Sequence, residues 1–371
     1  MQTHRAAILS AQGQPFEVQT RSTPQPGPGE LLIAVKAVAL NPADGIMRDT
    51  GLFVLEYPTV IGFDIAGLVL EIGDNVPVDA KEGNLSFHPR ITRVAAYAAF
   101  VWKSCDPDYG AFQERCIVPW QHAVPLADEE LSWVQAATLP VAFQVPLHAW
   151  DAMGIPRFGE NDSLPSRQAK REVLLIWGAS SSVGTGGVQT ARIIRDDRSS
   201  SVAAVYATAG SANHEYIRSL GADHVFDYKN TKAADSIIAA ANKDGLVIRH
   251  CFLAMGQLSE CQAVLAAFAA DAQGGNHHQA KIASAPPVPT GASQVEYIET
   301  IFSMPSMDEE KRLGQFQYWM GTWLRRQLMD GTVRPSPEPR VVGKGLESIN
   351  AGIDMLASGV SCAKLVVEVA E

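Results

Sequence analysis

Val173-Leu-Leu-Ile-Trp-Gly-Ala-Ser-Ser-Ser-Val-Gly184 is an uncharged apolar run that stops at Gly178 and restarts beyond Gly184 as a helical segment. This is how a strand hands a phosphate to a helix. Gly178 allows a sharp turn, and Ala179, Ser180, Ser181 and Ser182 are small enough for main-chain N–H groups to approach an anion. The N-terminus of the helix that follows Val183 and Gly184 adds partial positive charge. The spacing lacks the GxGxxG fingerprint, so the stretch alone fits a plain tight turn as well as a nucleotide site.

The neighbouring segments favour the nucleotide. Val202-Ala-Ala-Val-Tyr-Ala207 reads as a second strand, His224-Val-Phe226 as a third and Leu246 to Met255 as a fourth, with helix-length segments between them. Such alternation predicts βαβ units and a parallel sheet, here a Rossmann-type doubly wound α/β domain. A last strand, Ala280-Lys-Ile-Ala-Ser284, is broken by Pro286-Pro-Val-Pro289. An NAD-binding domain places an Asp or Glu at the end of its second strand to bind the ribose hydroxyls. The chain instead reads Ala207-Thr208-Ala-Gly-Ser211-Ala-Asn213-His214, with donors and nothing to repel a 2′-phosphate, so NADPH is favoured over NADH. Ser211 or Asn213 also suits a helix cap, a role that uses the same N–H groups.

The rest of the chain limits the possibilities. It has 371 residues, 46% hydrophobic and 19% charged, enough for two domains of a soluble globular protein. A net charge of −10 without a basic stretch argues against nucleic-acid binding. No run resembles a membrane span or a signal peptide, and a cytoplasmic location is expected. Cys105, Cys116, Cys251, Cys261 and Cys362 form no CxxC pair, and no zinc ligand set is visible. His277 and His278 read as a polar loop rather than a metal site, and Arg157 to Arg171 as a surface insertion.

Residues 1–135 contain short strand-like runs, including Leu31 to Leu40, Ile65 to Ile72, Arg93 to Ala96 and Phe112 to Val118, separated by turn residues. Glu130 to Ala137 and Val141 to Met153 read as helical, as does one long segment from Asp308 to Asp330. A terminal strand runs from Ala363 to Val369. The cluster Phe316, Tyr318, Trp319 and Trp323 reads as core or subunit contact, with a substrate wall as the alternative.

Asn41-Pro-Ala-Asp44, Gly62-Phe-Asp-Ile-Ala-Gly67, Arg93-Val94, Gly110-Ala-Phe-Gln-Glu114, Leu139-Pro140 and Leu220-Gly-Ala-Asp223 with Phe226-Asp-Tyr228 occur in that order. They resemble the NPxD, GxDxAG, GDRV, GAFAEY, LP and LGAD...DY elements of the medium-chain dehydrogenase/reductase superfamily. The resemblance implies a β-rich GroES-like domain over 1–135, a Rossmann domain over 136–285 and a C-terminal return over 286–371 that completes the catalytic domain. Zinc members carry Gly-His-Glu where this chain has Gly62-Phe63-Asp64, so zinc-free chemistry is implied. The serine-rich turn, Ser211-Ala-Asn213 and Gly359-Val-Ser-Cys-Ala-Lys364 are most similar to the fungal zinc-free group of quinone oxidoreductase-like proteins and trans-acting enoyl reductases.

Members of that group bind NADPH, are monomers or homodimers, and reduce the double bond of an α,β-unsaturated carbonyl. The resemblance therefore implies a small-molecule or carrier-bound thioester substrate and a polyketide synthase partner. It places Ala43 and Asp44 near the nicotinamide, Gly178 to Gly184 on the pyrophosphate, Thr208, Ser211, Asn213, His214 and Tyr228 around the adenosine, and Ser361 and Cys362 on the cofactor from the last strand. Asn41 and Asp44 are the expected positioning residues for catalysis, with turn formation as their competing role. Phe53, Phe143 and Val145 are expected to line the substrate site. Ile46, Val145 and Leu253 replace a lysine, a threonine and an aspartate common in related chains. Those replacements keep two alternatives open: a quinone oxidoreductase, and a reductase-like protein that has lost hydride transfer and binds or converts an intermediate without redox chemistry.

Overall fold

The structure is a computed structural model describing residues 2–79, 85–126, 131–157, 170–269, 279–291 and 293–369. It divides into two compact units, Met1–Gln144 with Ser306–Glu371, and Val145–Pro305. The His277–His278 loop and most of the expected 157–171 insertion lie outside the described residues.

The first unit opens with an antiparallel pair, β1 (Thr3–Ile8) and β2 (Glu17–Ser22). There follow β3 (Glu30–Ala39), α1 (Pro42–Thr50), β4 (Asp64–Ile72), β5 (Arg93–Tyr97), β6 (Arg115–Pro119), β7 (Ala123–Pro125) and α2 (Trp133–Ala136). Asn41 caps α1 and Pro42 occupies its first turn, so the motif read as a turn is the start of a helix. The chain then enters α3 (Leu139–Met153).

The second unit alternates strand and helix as its sequence predicts. β8 (Glu172–Trp177), α4 (Ser182–Asp196), β9 (Val202–Thr208), α5 (His214–Leu220) and β10 (His224–Phe226) form its first half. α6 (Ala233–Asp244), β11 (Val247–Leu253), α7 (Leu258–Ala269), β12 (Ala280–Ser284) and β13 (Ile298–Phe302) form the second. The sheet is parallel throughout, in the order β10-β9-β8-β11-β12-β13. This is the doubly wound Rossmann order, with its switch point between β8 and β11. Val173, Leu175 and Trp177 on one face of β8 pack with Cys251, Leu253, Val264 and Leu265, while Leu174 and Ile176 are buried on the other face. A strand covered on both sides reads as a continuous apolar run, which is what residues 173–177 are.

The return comprises α8 (Glu309–Phe316), α9 (Arg325–Met329), β14 (Pro339–Lys344), α10 (Ser348–Ala357) and β15 (Lys364–Glu368). β15 joins β3, completing the sheet order β14-β15-β3-β4-β5-β7, with β6 also paired to β3. Two expectations need correction here. β12 is not the last strand of its sheet, because β13 pairs beside it. The long helix expected over 308–330 is interrupted by a π-helical segment, Gln317–Leu324. β14 and α10 went unread. Phe316, Trp319 and Trp323 are buried, so the aromatic cluster belongs to the core of the first unit. Among the described residues, no helix is long and apolar enough to cross a membrane.

Candidate functional site

The turn after β8 is held from three sides. Gly178 has φ +80°, and a Cβ placed on it would lie 2.3 Å from the Met255 carbonyl oxygen in the turn after β11. Gly256 returns the contact, since its own Cβ would fall 2.8 Å from the Trp177 ring. Only glycine lets these two strand ends meet at the switch point. Thr208, at the end of β9, fixes the turn from the other flank: its Oγ1 accepts from Gly178 N–H at 2.9 Å and its carbonyl from Ala179 N–H at 2.8 Å.

Ser181 caps α4, accepting from Gly184 N–H at 3.1 Å and donating its hydroxyl to the Gly178 carbonyl at 2.8 Å. The next N–H groups, of Ser182 and Val183, have no acceptor within the helix. No acidic side chain occupies the first turn of α4, so its positive end is not neutralised locally. A Cβ on Gly184 would stand 2.4 Å from the Gly178 carbonyl oxygen, so the helix starts as close to the strand as glycine permits. Residues 178–184 thus form a cradle of small side chains and main-chain donors that fits a pyrophosphate.

Beyond β9 the chain turns through Ser211 and Asn213 into α5, and the first carboxylate met is the exposed Glu215. His214 Nε2 lies 3.0 Å from the Ala209 carbonyl, which requires the proton on Nε2. The half-exposed Tyr228 ring approaches the Gly210 Cβ position at 3.8 Å, placing an aromatic face beside this turn. The expected adenosine residues are therefore assembled in one unit with the phosphate turn. Thr208 braces the turn from the end of β9. It is buried, and both of its oxygens serve the turn itself.

The first unit holds a second polar constellation. Asn41, Asp44, Asp64 and Lys364 are all buried. Asp64 Oδ1 accepts from the Val141 N–H at the start of α3 at 2.7 Å, and Oδ2 accepts from Lys364 Nζ at 2.8 Å and Asn41 Nδ2 at 3.0 Å. Lys364 also donates to Asn41 Oδ1 at 2.5 Å. Asp44 Oδ2 accepts from Asn41 N–H at 2.7 Å. Burial pushes the Asp44 carboxyl up to about 7, against the opposing pull of the Asn41 hydrogen bond and Lys364.

The expectation that Asp44 touches a cofactor is therefore corrected, because its carboxylate is fully buried and turned inward to Asn41. Ala43, its neighbour on α1, is exposed. Phe143 is fully buried, Phe53 is exposed at φ +62°, and the half-buried Val145 accepts from Ser303 Oγ at 3.0 Å through its carbonyl. Ser361 and Cys362 occupy the turn before β15, and burial raises the Cys362 thiol above its ordinary range. Ile46 is exposed on α1, while Leu253 is buried in the core of the second unit. Phe63, in the place of the zinc-branch histidine, packs on Tyr97 and Phe100 with ring centroids 5.5 and 5.1 Å away. Among the described residues no three His, Cys, Asp or Glu side chains gather as a metal site. The residues that sequence reasoning missed are Asp64 and Lys364, quoted within motifs but given no role.

Comparison with known proteins places this geometry in a family. Residues 27–128 match the alcohol dehydrogenase GroES-like domain. The chain is 37% identical over 367 residues to the trans-enoyl reductase tndF of Aspergillus flavipes, covering 98% of both chains. It belongs to the medium-chain dehydrogenase/reductase superfamily. Within that superfamily it falls in the enoyl-reductase-like group, being also 38% identical over 314 residues to the trans-enoyl reductase tazE of Aspergillus terreus, with 83% of this chain and 94% of that one covered. As a medium-chain reductase fold it is similar to an alcohol dehydrogenase superfamily protein from Novosphingobium aromaticivorans, with TM-score 0.73, 21% identity and coverage of 99% and 100%. The CurK enoyl reductase shares the fold with TM-score 0.69, 17% identity and full coverage of both chains. A medium-chain reductase of this fold works with a nicotinamide cofactor, for which the Gly178–Gly184 cradle is the fitting element.

Proposed function

We propose that the protein is a zinc-independent, NADPH-dependent enoyl reductase of secondary metabolism, acting in the cytoplasm on an enoyl thioester carried by a polyketide synthase. The observation that carries this reading is the glycine-built cradle at the β8/β11 switch point, in a chain whose relatives include trans-enoyl reductases. When bound, NADPH supplies the hydride for the β-carbon of the substrate's double bond.

The chain's own contribution is binding and orientation. The N–H groups of Ser182 and Val183 would hold the pyrophosphate, with Ser181 capping α4 behind them and Thr208 fixing the turn. Ser211, Asn213 and the start of α5 would receive the 2′-phosphate, and Tyr228 would lie beside the adenine. Thr208 to His214 carry no carboxylate to repel that phosphate.

The test is a fluorescence titration with NADPH and NADH, followed by nicotinamide absorbance with enoyl thioesters and with quinones. NADPH is expected to bind at least about tenfold more tightly than NADH, a difference of about 1.4 kcal/mol, and to be consumed with enoyl thioesters in metal-free buffer. Binding of neither cofactor defeats the proposal. Turnover of quinones alone moves it to quinone reduction, and thioester binding without NADPH consumption moves it to a non-redox role.

A further inference from the structure

Two carboxylates and one ammonium group share the interior of the first unit, where α1, β4, α3 and β15 meet. A buried ion needs counter-charge or several donors, and one ammonium neutralises one carboxylate. The hydrogen bonds say which. Asp64 receives Val141 N–H, Lys364 Nζ and Asn41 Nδ2 at 2.7, 2.8 and 3.0 Å. Asp44 receives its hydrogen bonding from Asn41, chiefly the N–H at 2.7 Å, and among the described residues its buried Oδ1 has no hydrogen-bond partner.

We infer that Asp44 is the neutral, proton-bearing member of this network and a positioning residue: by holding Asn41 beside the Lys364–Asp64 pair, it seats the first turn of α3 at Val141. The groups facing it agree with that assignment. Asp64 opposes a second negative charge, Lys364 is already shared between Asp64 and Asn41, and the nearby Tyr97 phenol is held neutral by burial and by Asp64. Burial itself raises the Asp44 carboxyl into the neutral range. Ionisation would therefore place a second anion beside Asp64, draw Lys364 and Asn41 toward two acids, and loosen the grip on Val141. The inference concerns the first unit alone and holds whichever substrate is reduced.

The test uses the full-length protein with ¹³C-labelled aspartate carboxyls, the Asp44 resonance being assigned by through-bond correlation to its own backbone in wild type and checked by its loss in Asp44→Asn. It is paired with hydrogen–deuterium exchange of the peptide spanning the start of α3. The Asp44 resonance is expected to titrate near neutrality. Exchange at Val141, corrected for its intrinsic pH dependence, is expected to rise severalfold through the same range in wild type and to stay level in Asp44→Asn. An Asp44 resonance titrating near the ordinary value of about 3.9, or the same rise in Asp44→Asn, overturns the inference. Should Asp44→Asn fail to fold, Lys364→Met read by the same labelled carboxyls is expected to move the midpoint upward, since the ammonium favours the ionised form. An unmoved midpoint there overturns it too.

Discussion

At the scale of single residues, Gly184 and Gly178 answer differently to an added methyl. Gly184 lies in helical backbone, so alanine there brings only the crowding of a Cβ 2.4 Å from the Gly178 carbonyl oxygen, about 1–3 kcal/mol of overpacking. Gly184→Ala is expected to keep its circular dichroism while weakening NADPH binding at least about tenfold by titration. Gly178→Ala adds the strain of a positive φ to a 2.3 Å clash with Met255, and about 2–5 kcal/mol is expected to be lost in denaturant unfolding. Gly178 and the serines after it were legible because turn chemistry is local. Lys364 was not: its partner Asn41 lies 323 positions away, and nothing near Lys364 in sequence tells a buried ammonium from a solvated one.

At the scale of elements, α4 depends on its cap. Ser181→Ala removes the acceptor for Gly184 N–H and the donor to Gly178, and a loss of about 1 kcal/mol is expected in chemical unfolding. NADPH affinity should fall with it, because the same turn is expected to hold the phosphate. The strands β8, β9, β11 and β12 were legible because apolar runs bounded by turn residues announce buried strands. β13 was not. Ile298-Glu-Thr-Ile-Phe302 follows a proline-rich stretch that reads as an ending, and among the described residues its ladder is the parallel one to β12 at the sheet edge. The break at Gln317–Leu324 was equally hidden, since i→i+5 bonding leaves no periodicity that eight residues can display.

At the scale of the whole molecule, two buried groups set opposing pH dependences. Asp44, raised by burial to about 7, holds a proton in the folded state that the unfolded chain releases above the ordinary carboxylate range. Its contribution is complete below about pH 4 and is lost as pH rises toward 7. His122, lowered by burial and by Arg312 to about 3, stays neutral in the fold while the unfolded chain protonates it. Its contribution is complete above about pH 6.5 and is lost as pH falls toward 3. Each is on the order of 4 kcal/mol across its window, with opposite sign, so wild-type stability should vary little between about pH 4 and 6.5 from these two groups. Denaturant unfolding across that range is expected to show stability rising with pH in Asp44→Asn and falling with pH in His122→Gln. Parallel profiles for the two variants would contradict the opposition.

By itself the sequence determined the alternation of strands and helices, the glycine turn at 178–184 and the absence of an acid from 208–214, because strand burial, backbone freedom and local charge are properties of neighbours along the chain. Only the tertiary structure decided that Thr208 is buried and locks the turn, that Asp44 lies inside the first unit, and that Lys364 joins Asp64 and Asn41. Those facts depend on which distant groups share a buried space with few donors and little solvent. In such a space the partners a side chain finds, rather than its own identity, settle its charge and its role.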